Sequence, residues 1–337
     1  MNRTPLVLPP NQFHRFYSGG ARIDALRGVP EGEDGRPEDW VGSTATSFGS
    51  PTEGLSHLED GTLLKDLITA NADDFLGPEH TRRYGADPAL LVKLLDAGER
   101  LPVHYHPGRP FARERLGLSF GKTEAWIILE AEPGAAVHVG AREPVDAGTV
   151  RGWIERQDAG EMLGALQEHP VSAGDAILVP AGTLHAIGEG ILLLELQEPT
   201  DLSVLLEYRR FNVNNGTEHL QLGWDAALEA LDPQAAGEAG GGGGEPGGAV
   251  TPLLPDDASP YFRAQRVRAG ADLEPSFAIL VAVGGQGTLT TEYGDELALA
   301  RGTTALVPYA AGRTTIEGDV DAIRCLPPAP DAEEGRW

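Results

Sequence analysis

The apolar stretches of this chain are short, and glycine or proline soon interrupts them. Glu124-Ala-Trp-Ile-Ile-Leu-Glu-Ala runs into Pro133-Gly134, and Ala176-Ile-Leu-Val ends at Pro180. Ile191-Leu-Leu-Leu-Glu-Leu-Gln197 and Ala278-Ile-Leu-Val-Ala-Val283 are of the same kind. Runs of this length and composition read as strands joined by turns. Helical spacing is confined to inserts. Thr62 is placed to cap a helix beginning at Leu63, with Leu64, Leu67 and Ile68 on one face. Residues Val150 to Gln167 read as one or two further helices, with apolar faces from Trp153, Ile154, Met162, Leu163 and Leu166. Many short strands with a few helical insertions predict a mainly β protein, a barrel or jelly roll.

At 337 residues the chain exceeds the usual size of one domain. Between Gly237 and Gly248 lie five successive glycines, Gly240 to Gly244, followed by Pro246. That composition cannot build a core and reads as a linker or long loop. It predicts a first unit over residues 1–236, with an N-terminal extension and a helical insertion, a linker over 237–249 and a second unit over 250–337. The two units look related. Gly174-Asp-Ala-Ile-Leu-Val-Pro180 has its counterpart in Gly302-Thr-Thr-Ala-Leu-Val-Pro308. Laying one glycine on the other puts Arg313 where His185 stands, and no histidine follows His219. This reads as an internal duplication in which only the first unit carries metal ligands.

The chemistry lies in two stretches of the first unit. Gly98-Glu-Arg-Leu-Pro-Val-His104-Tyr-His106-Pro107 is followed by Gly121-Lys122-Thr123-Glu124, and Gly174 to His185 closes the set. Residues two apart on a strand share a face, so His104 and His106 point together and Tyr105 points away. Glu124 opens the next strand and supplies a carboxylate. His185 follows Pro180-Ala-Gly182, a tight turn in which glycine lets the backbone reverse. Three imidazoles and one carboxylate suit a single divalent metal. Six-coordinate geometry leaves two positions for water or substrate, whereas a tetrahedral metal must expand its coordination or exchange a ligand. His14, His57, His80, His138, His169 and His219 read as ordinary surface or hydrogen-bonded residues.

A net charge of -25 and a pI near 4.6 exclude nucleic acid and anionic membrane surfaces as partners. An anionic substrate would need a locally basic pocket. The single cysteine, Cys325, permits no intrachain disulfide and no cysteine metal cluster. Neither a secretion signal nor an apolar run of membrane-spanning length is legible, so a cytoplasmic enzyme or binding protein is expected.

The spacings Gly98-x5-His104-x-His106 and Gly174-x5-Pro180-x-Gly182-x2-His185 resemble the two motifs of the cupin superfamily. Within it, Leu91-Val-Lys-Leu-Leu-Asp-Ala97, the His106-Pro107 pair, Gly121-Lys122-Thr123-Glu124-Ala-Trp126 and Val179-Pro-Ala-Gly-Thr-Leu-His-Ala186 are similar to type I mannose-6-phosphate isomerases. So are Glu38-Asp-Trp40 and Gly61-Thr-Leu63. The resemblance covers roughly residues 38 to 201. It implies jelly-roll barrels, the first metal-binding with helical insertions and the second degenerate. It also implies zinc at His104, His106, Glu124 and His185, although iron, manganese, cobalt or nickel remain open. The implied reaction interconverts mannose 6-phosphate and fructose 6-phosphate through an enediol, with Glu195 as base and Lys122 binding an anion or assisting proton transfer. Two departures stand out: His104 replaces the family's glutamine, and Leu205 occupies the place of its arginine after Thr200-Asp201. Arg209 and Arg210 lie at least four residues further on, about 13 Å along a strand.

Alternative readings are an isomerase of an unphosphorylated sugar, an iron-dependent oxygenase, and a non-catalytic sugar-binding cupin. The oligomeric state is not legible.

Overall fold

The computed structural model describes residues 2–213, 215–232, 238–240 and 248–333. Four antiparallel sheets organise the chain. The first barrel is built from two of them. A seven-stranded sheet runs Glu238–Gly240, Ala176–Val179, Glu124–Ala131, Ile191–Gln197, Leu91–Ala97, Glu38–Val41 and Gln12–Phe13. A five-stranded sheet runs Val204–Leu205, His104–Tyr105, His185–Ile187, Ala136–Ala141 and Leu166–Pro170. Trp126, Ile128, Ile177, Leu193 and Leu95 from the first sheet meet Val137, Val139 and Ile187 from the second in the barrel interior.

Ile191–Gln197 is buried along its whole length, which explains why it is almost continuously apolar. Ile191 and Leu193 face the barrel interior, and Leu192, Leu194 and Leu196 face outward. That outer face packs against the second barrel. There Ile279, Val281, Leu306, Ile323 and Cys325 share one buried cluster with Leu64, Ile68, Phe75 and the outward leucines. The second barrel joins a six-stranded sheet to a four-stranded one, Asp272–Leu273, Thr314–Gly318, Gln286–Thr291 and Glu296–Ala300. Leu280, Ala282 and Val307 meet Leu289, Leu299 and Ile316 inside it.

The helical inserts form as spaced, with two corrections. The first helix is Leu64–Ala70, and its N-cap is Leu63 with no side-chain cap, rather than Thr62. Thr62 is occupied elsewhere: its amide bonds Asp60, its carbonyl accepts from Leu58, and His57 bridges Leu63. Residues 57–63 thus close a turn that delivers Leu63 extended. The Val150 to Gln167 region holds two helices, Ala147–Arg156 and Ala159–Gly164, capped by the Asp146 and Asp158 side chains. Leu166 lies in a strand, Leu166–Pro170, and not on a helix. These helices cover the outside of the five-stranded sheet through Val150, Trp153, Ile154 and Met162.

The chain crosses between the barrels more than once. Leu6–Val7 pairs with Thr304–Val307 in the second barrel's sheet. Within the expected linker, Glu238–Gly240 pairs with Ala176–Leu178 as a strand, and residues 241–247 lie outside the described residues. Among the described residues no helix is long and apolar enough to cross a membrane.

Candidate active site

His104 and His185 sit directly opposite each other on adjacent strands. His106 follows just beyond its strand, fixed where its carbonyl accepts from the Gly182 amide at 2.7 Å. Each imidazole is oriented by a backbone carbonyl on its Nδ1: Pro102 for His104 (2.8 Å), Leu202 for His106 (2.7 Å) and Thr183 for His185 (2.8 Å). A carbonyl only accepts, so Nδ1 carries the proton and each Nε2 presents a lone pair. Ligand atoms of the three rings lie within 4.8 Å of one another, and all three residues are buried.

Glu124 completes the cluster. Its Oε2 lies 3.1 Å from His106 Nε2 and its Oε1 3.3 Å from His185 Nε2. Trp126 Nε1 donates to Oε1 at 3.1 Å and holds the carboxylate in place. Among the described residues, His185 Nε2 is buried without a hydrogen-bond partner, and Glu124 Oε2 has none beyond its ion pair with Lys122. Lone pairs of three rings and a carboxylate converge there, a donor set that fits a metal ion. The protonation states agree. Burial and the neighbouring His185 and His106 rings push His104 well below the usual histidine range, and burial and Lys122 push His106 down to about 3. Burial alone would raise Glu124, but Lys122 and His106 outweigh it and hold the carboxyl well down.

A row of alternating charges leads away from this cluster. Lys122 Nζ lies 3.1 Å from Glu124 Oε2 and 4.0 Å from Glu195 Oε1. Lys93 Nζ lies 3.3 Å from Glu195 Oε1 and 3.5 Å from Glu38 Oε2. Arg15 Nε follows at 3.0 Å from Glu38 Oε1, and its Nη2 sits 3.3 Å from Asp201. Burial raises Glu195 above the usual carboxylate range, helped by the Glu124 charge and opposed by Lys93. For Glu38, Arg15 and Lys93 overcome burial and hold it low.

All six sequence-predicted residues, His104, His106, Glu124, His185, Lys122 and Glu195, converge at one end of the first barrel. A cavity of about 410 Å³ opens there, lined by His104, Lys122, Glu124, Glu195 and Lys93 among others. Arg15, Glu38, Lys93 and Asp201 were given no role from sequence. Lys93 had a readable signal, a lysine inside the apolar strand Leu91–Ala97 on the same side as Leu95. Arg15 had none, because it lies in an irregular N-terminal segment. Arg209 and Arg210 do not line the cavity; they bond the Glu155 carbonyl and the Glu99 carboxylate. Arg313, which the Gly-x5-Pro spacing sets against His185, is bound to Asp272 and Glu274 on the surface.

The turn that aims His185 depends on Gly182, whose φ is +85° and whose absent Cβ would lie 2.8 Å from Asp232 Cβ. Gly182→Ala is therefore expected to cost about 1–3 kcal/mol and to weaken metal binding as His185 shifts. A chemical denaturation midpoint and a metal titration check this; unchanged values would mean that the turn relaxes freely.

The two packed barrels and the three-histidine cluster define a cupin whose first barrel is able to hold a metal. No family model matches the chain. It is 27% identical over 328 residues to the mannose-6-phosphate isomerase of Streptococcus mutans, covering 95% of this chain and 97% of that protein. It is 30% identical over 233 residues to the protein named probable mannose-6-phosphate isomerase GmuF of Bacillus subtilis, covering 67% of this chain and 68% of that one. The chain belongs to the mannose-6-phosphate isomerase family. Its fold matches the crystal structure of a Bacillus subtilis mannose 6-phosphate isomerase with a TM-score of 0.77 at 24% identity, over 96% of this chain and 99% of that one.

Proposed function

We propose that this chain is a metal-dependent aldose–ketose isomerase that interconverts mannose 6-phosphate and fructose 6-phosphate through an enediol, with zinc as its ion and the cytoplasm as its compartment. The observation that carries this reading is the placement of Glu195. A buried carboxylate with a raised pKa lies on the wall of the cavity that His104 and Glu124 of the buried three-imidazole cluster also line. An isomerisation between C1 and C2 needs an electrophile on the substrate oxygens, a base at the migrating proton and exclusion of water.

His104, His106, Glu124 and His185 would hold the ion, which when bound supplies a Lewis acid for the substrate's oxygens. Glu195 would remove and return the proton at the reacting carbons. Lys93, 3.3 Å from Glu195 Oε1, anchors that carboxylate from the next strand. Lys122, between Glu195 and Glu124, is placed to stabilise negative charge as it develops on the sugar. The buried walls of Leu95, Leu101 and Ile187 limit water around the reacting atoms. The division inferred from sequence is part of this proposal: residues 1–236 carry the chemistry, residues 237–249 connect, and residues 250–337 form a metal-free second unit.

The purified protein is expected to interconvert the two sugar phosphates, to lose that activity on chelation and to regain it with zinc. Absence of conversion in the zinc-loaded protein would refute the proposal. Oxygen uptake by an iron-loaded sample without isomerisation would point instead to an oxygenase.

A further inference from the structure

Arg15 is the only guanidinium among the described residues that lines the active-site cavity. Its Nε is bound to Glu38 and its Nη2 to both oxygens of Asp201. Its Nη1 makes no hydrogen bond among the described residues, and the side chain keeps 15% of its surface exposed. The group is flanked by the rings of Phe13 and Phe16, 5.8 and 6.0 Å from its central carbon. Two carboxylates and two rings therefore fix the plane of this cation, and one of its edges remains for a ligand.

Its position in the charge row matters. Lys122 stands beside the metal ligand Glu124, and Lys93 is wedged between Glu195 and Glu38. Both cations belong to the end where C1 and C2 react. Arg15 lies beyond Glu38, at the end of the row remote from the three imidazoles. In a hexose phosphate the anionic group is carried on C6, at the opposite end of the carbon chain from the reacting carbons. It must therefore be met away from the metal. Leu205 lines the cavity opposite His104 on the neighbouring strand and offers no charge. With Arg209 and Arg210 committed outside, no other arginine among the described residues is available to the cavity. Ser47, Asn212 and Thr217 add polar groups to the same lining. In a chain of net charge -25, Arg15 is the one guanidinium that the cavity offers to an anionic substrate.

We infer that Arg15, supplied by the N-terminal segment, binds the phosphate of the substrate. This inference rests on the isomerase reading above. Guanidinium recognises phosphate through a planar fork that lysine cannot reproduce. Arg15→Lys keeps a cation between Glu38 and Asp201 and removes the fork. Its KM for mannose 6-phosphate is expected to rise about tenfold, the loss of one charged hydrogen bond, and the Ki for inorganic phosphate as competitor should rise in parallel. Its kcat should stay within about fivefold and its zinc content unchanged, since the chemistry end of the row is intact. Arg15→Ala should raise KM and Ki further.

A merely structural Arg15 would lower kcat, zinc content and melting temperature together without moving the Ki for phosphate, and that result would overturn the inference. Should Arg15→Ala fail to fold, the lysine variant and a wild-type crystal structure with fructose 6-phosphate decide the matter. Phosphate oxygens bonded to Arg15 support the inference, and phosphate seated elsewhere overturns it. A wild-type protein that isomerises normally, with a KM indifferent to Arg15→Lys, removes only the role of Arg15. A wild-type protein that isomerises nothing removes the functional reading itself.

Discussion

His185→Ala loses bound metal and turnover together. His185 is fully buried, and its Nε2 is one of the orphaned lone pairs of the cluster. Alanine removes one of three imidazoles and leaves His104, His106 and Glu124 facing a gap. Disturbing a residue that merely orients a ligand already costs about 10–100-fold in metal affinity, so loss of the ligand itself should exceed that range. His106→Ala should behave alike, with a further consequence: Lys122 Nζ, now 3.2 Å from His106 Nε2, would lose that neighbour as well. Metal content by plasma mass spectrometry, activity with added zinc and far-ultraviolet circular dichroism separate site loss from unfolding. Stoichiometric metal retained in either folded variant would refute the ligand set. The orienting carbonyls of Pro102, Leu202 and Thr183 are untouched by either change, so the remaining rings should keep their directions.

Much of this cluster was legible because strands impose a period of two. A His-x-His that opens on a strand and a glycine turn before His185 leave few ways to arrange the rings, and the recurring Gly-x5-Pro segments point to a second barrel. The doubly buried strand Ile191–Gln197 was legible too, since it carries one charge within an apolar run. The resemblance points to Glu195, while Lys93, its direct partner across the strands, follows only from the pairing of the two strands. The charge row was not legible. Arg15, Glu38 and Asp201 meet through contacts between segments as many as 186 residues apart, and nothing local marks them. Local rules also gave way where tertiary pairing competed. Thr62 was drawn into a turn and Leu166 into the edge of a sheet, because strand pairing satisfied backbone groups that a cap or another helical turn would otherwise have served.

Glu195→Gln separates a catalyst from a binding protein. The two side chains are nearly isosteric, so the packing against Trp126 and Lys93 on the flanking strands should survive. Lys93 keeps Glu38 at 3.5 Å and Asp201 at 4.0 Å, so its charge is not abandoned. What disappears is the group able to accept a proton. Loss of a general base typically costs about 10²–10⁴ in rate, so kcat should fall by that factor, with KM and zinc content changed little. The pH profile gives an independent check. A base works only when deprotonated, so wild-type kcat/KM should fall as acid protonates Glu195. Because burial and the Glu124 charge raise its pKa, that fall should lie above the ordinary carboxylate range. The residual activity of the glutamine variant should lack this acid limb. Exchange of the C2 proton of mannose 6-phosphate with deuterated solvent should vanish with it, while titration with the sugar phosphate still reports binding. A glutamine variant whose kcat stays within tenfold of wild type, with the acid limb intact, would move the base to another residue of the cavity.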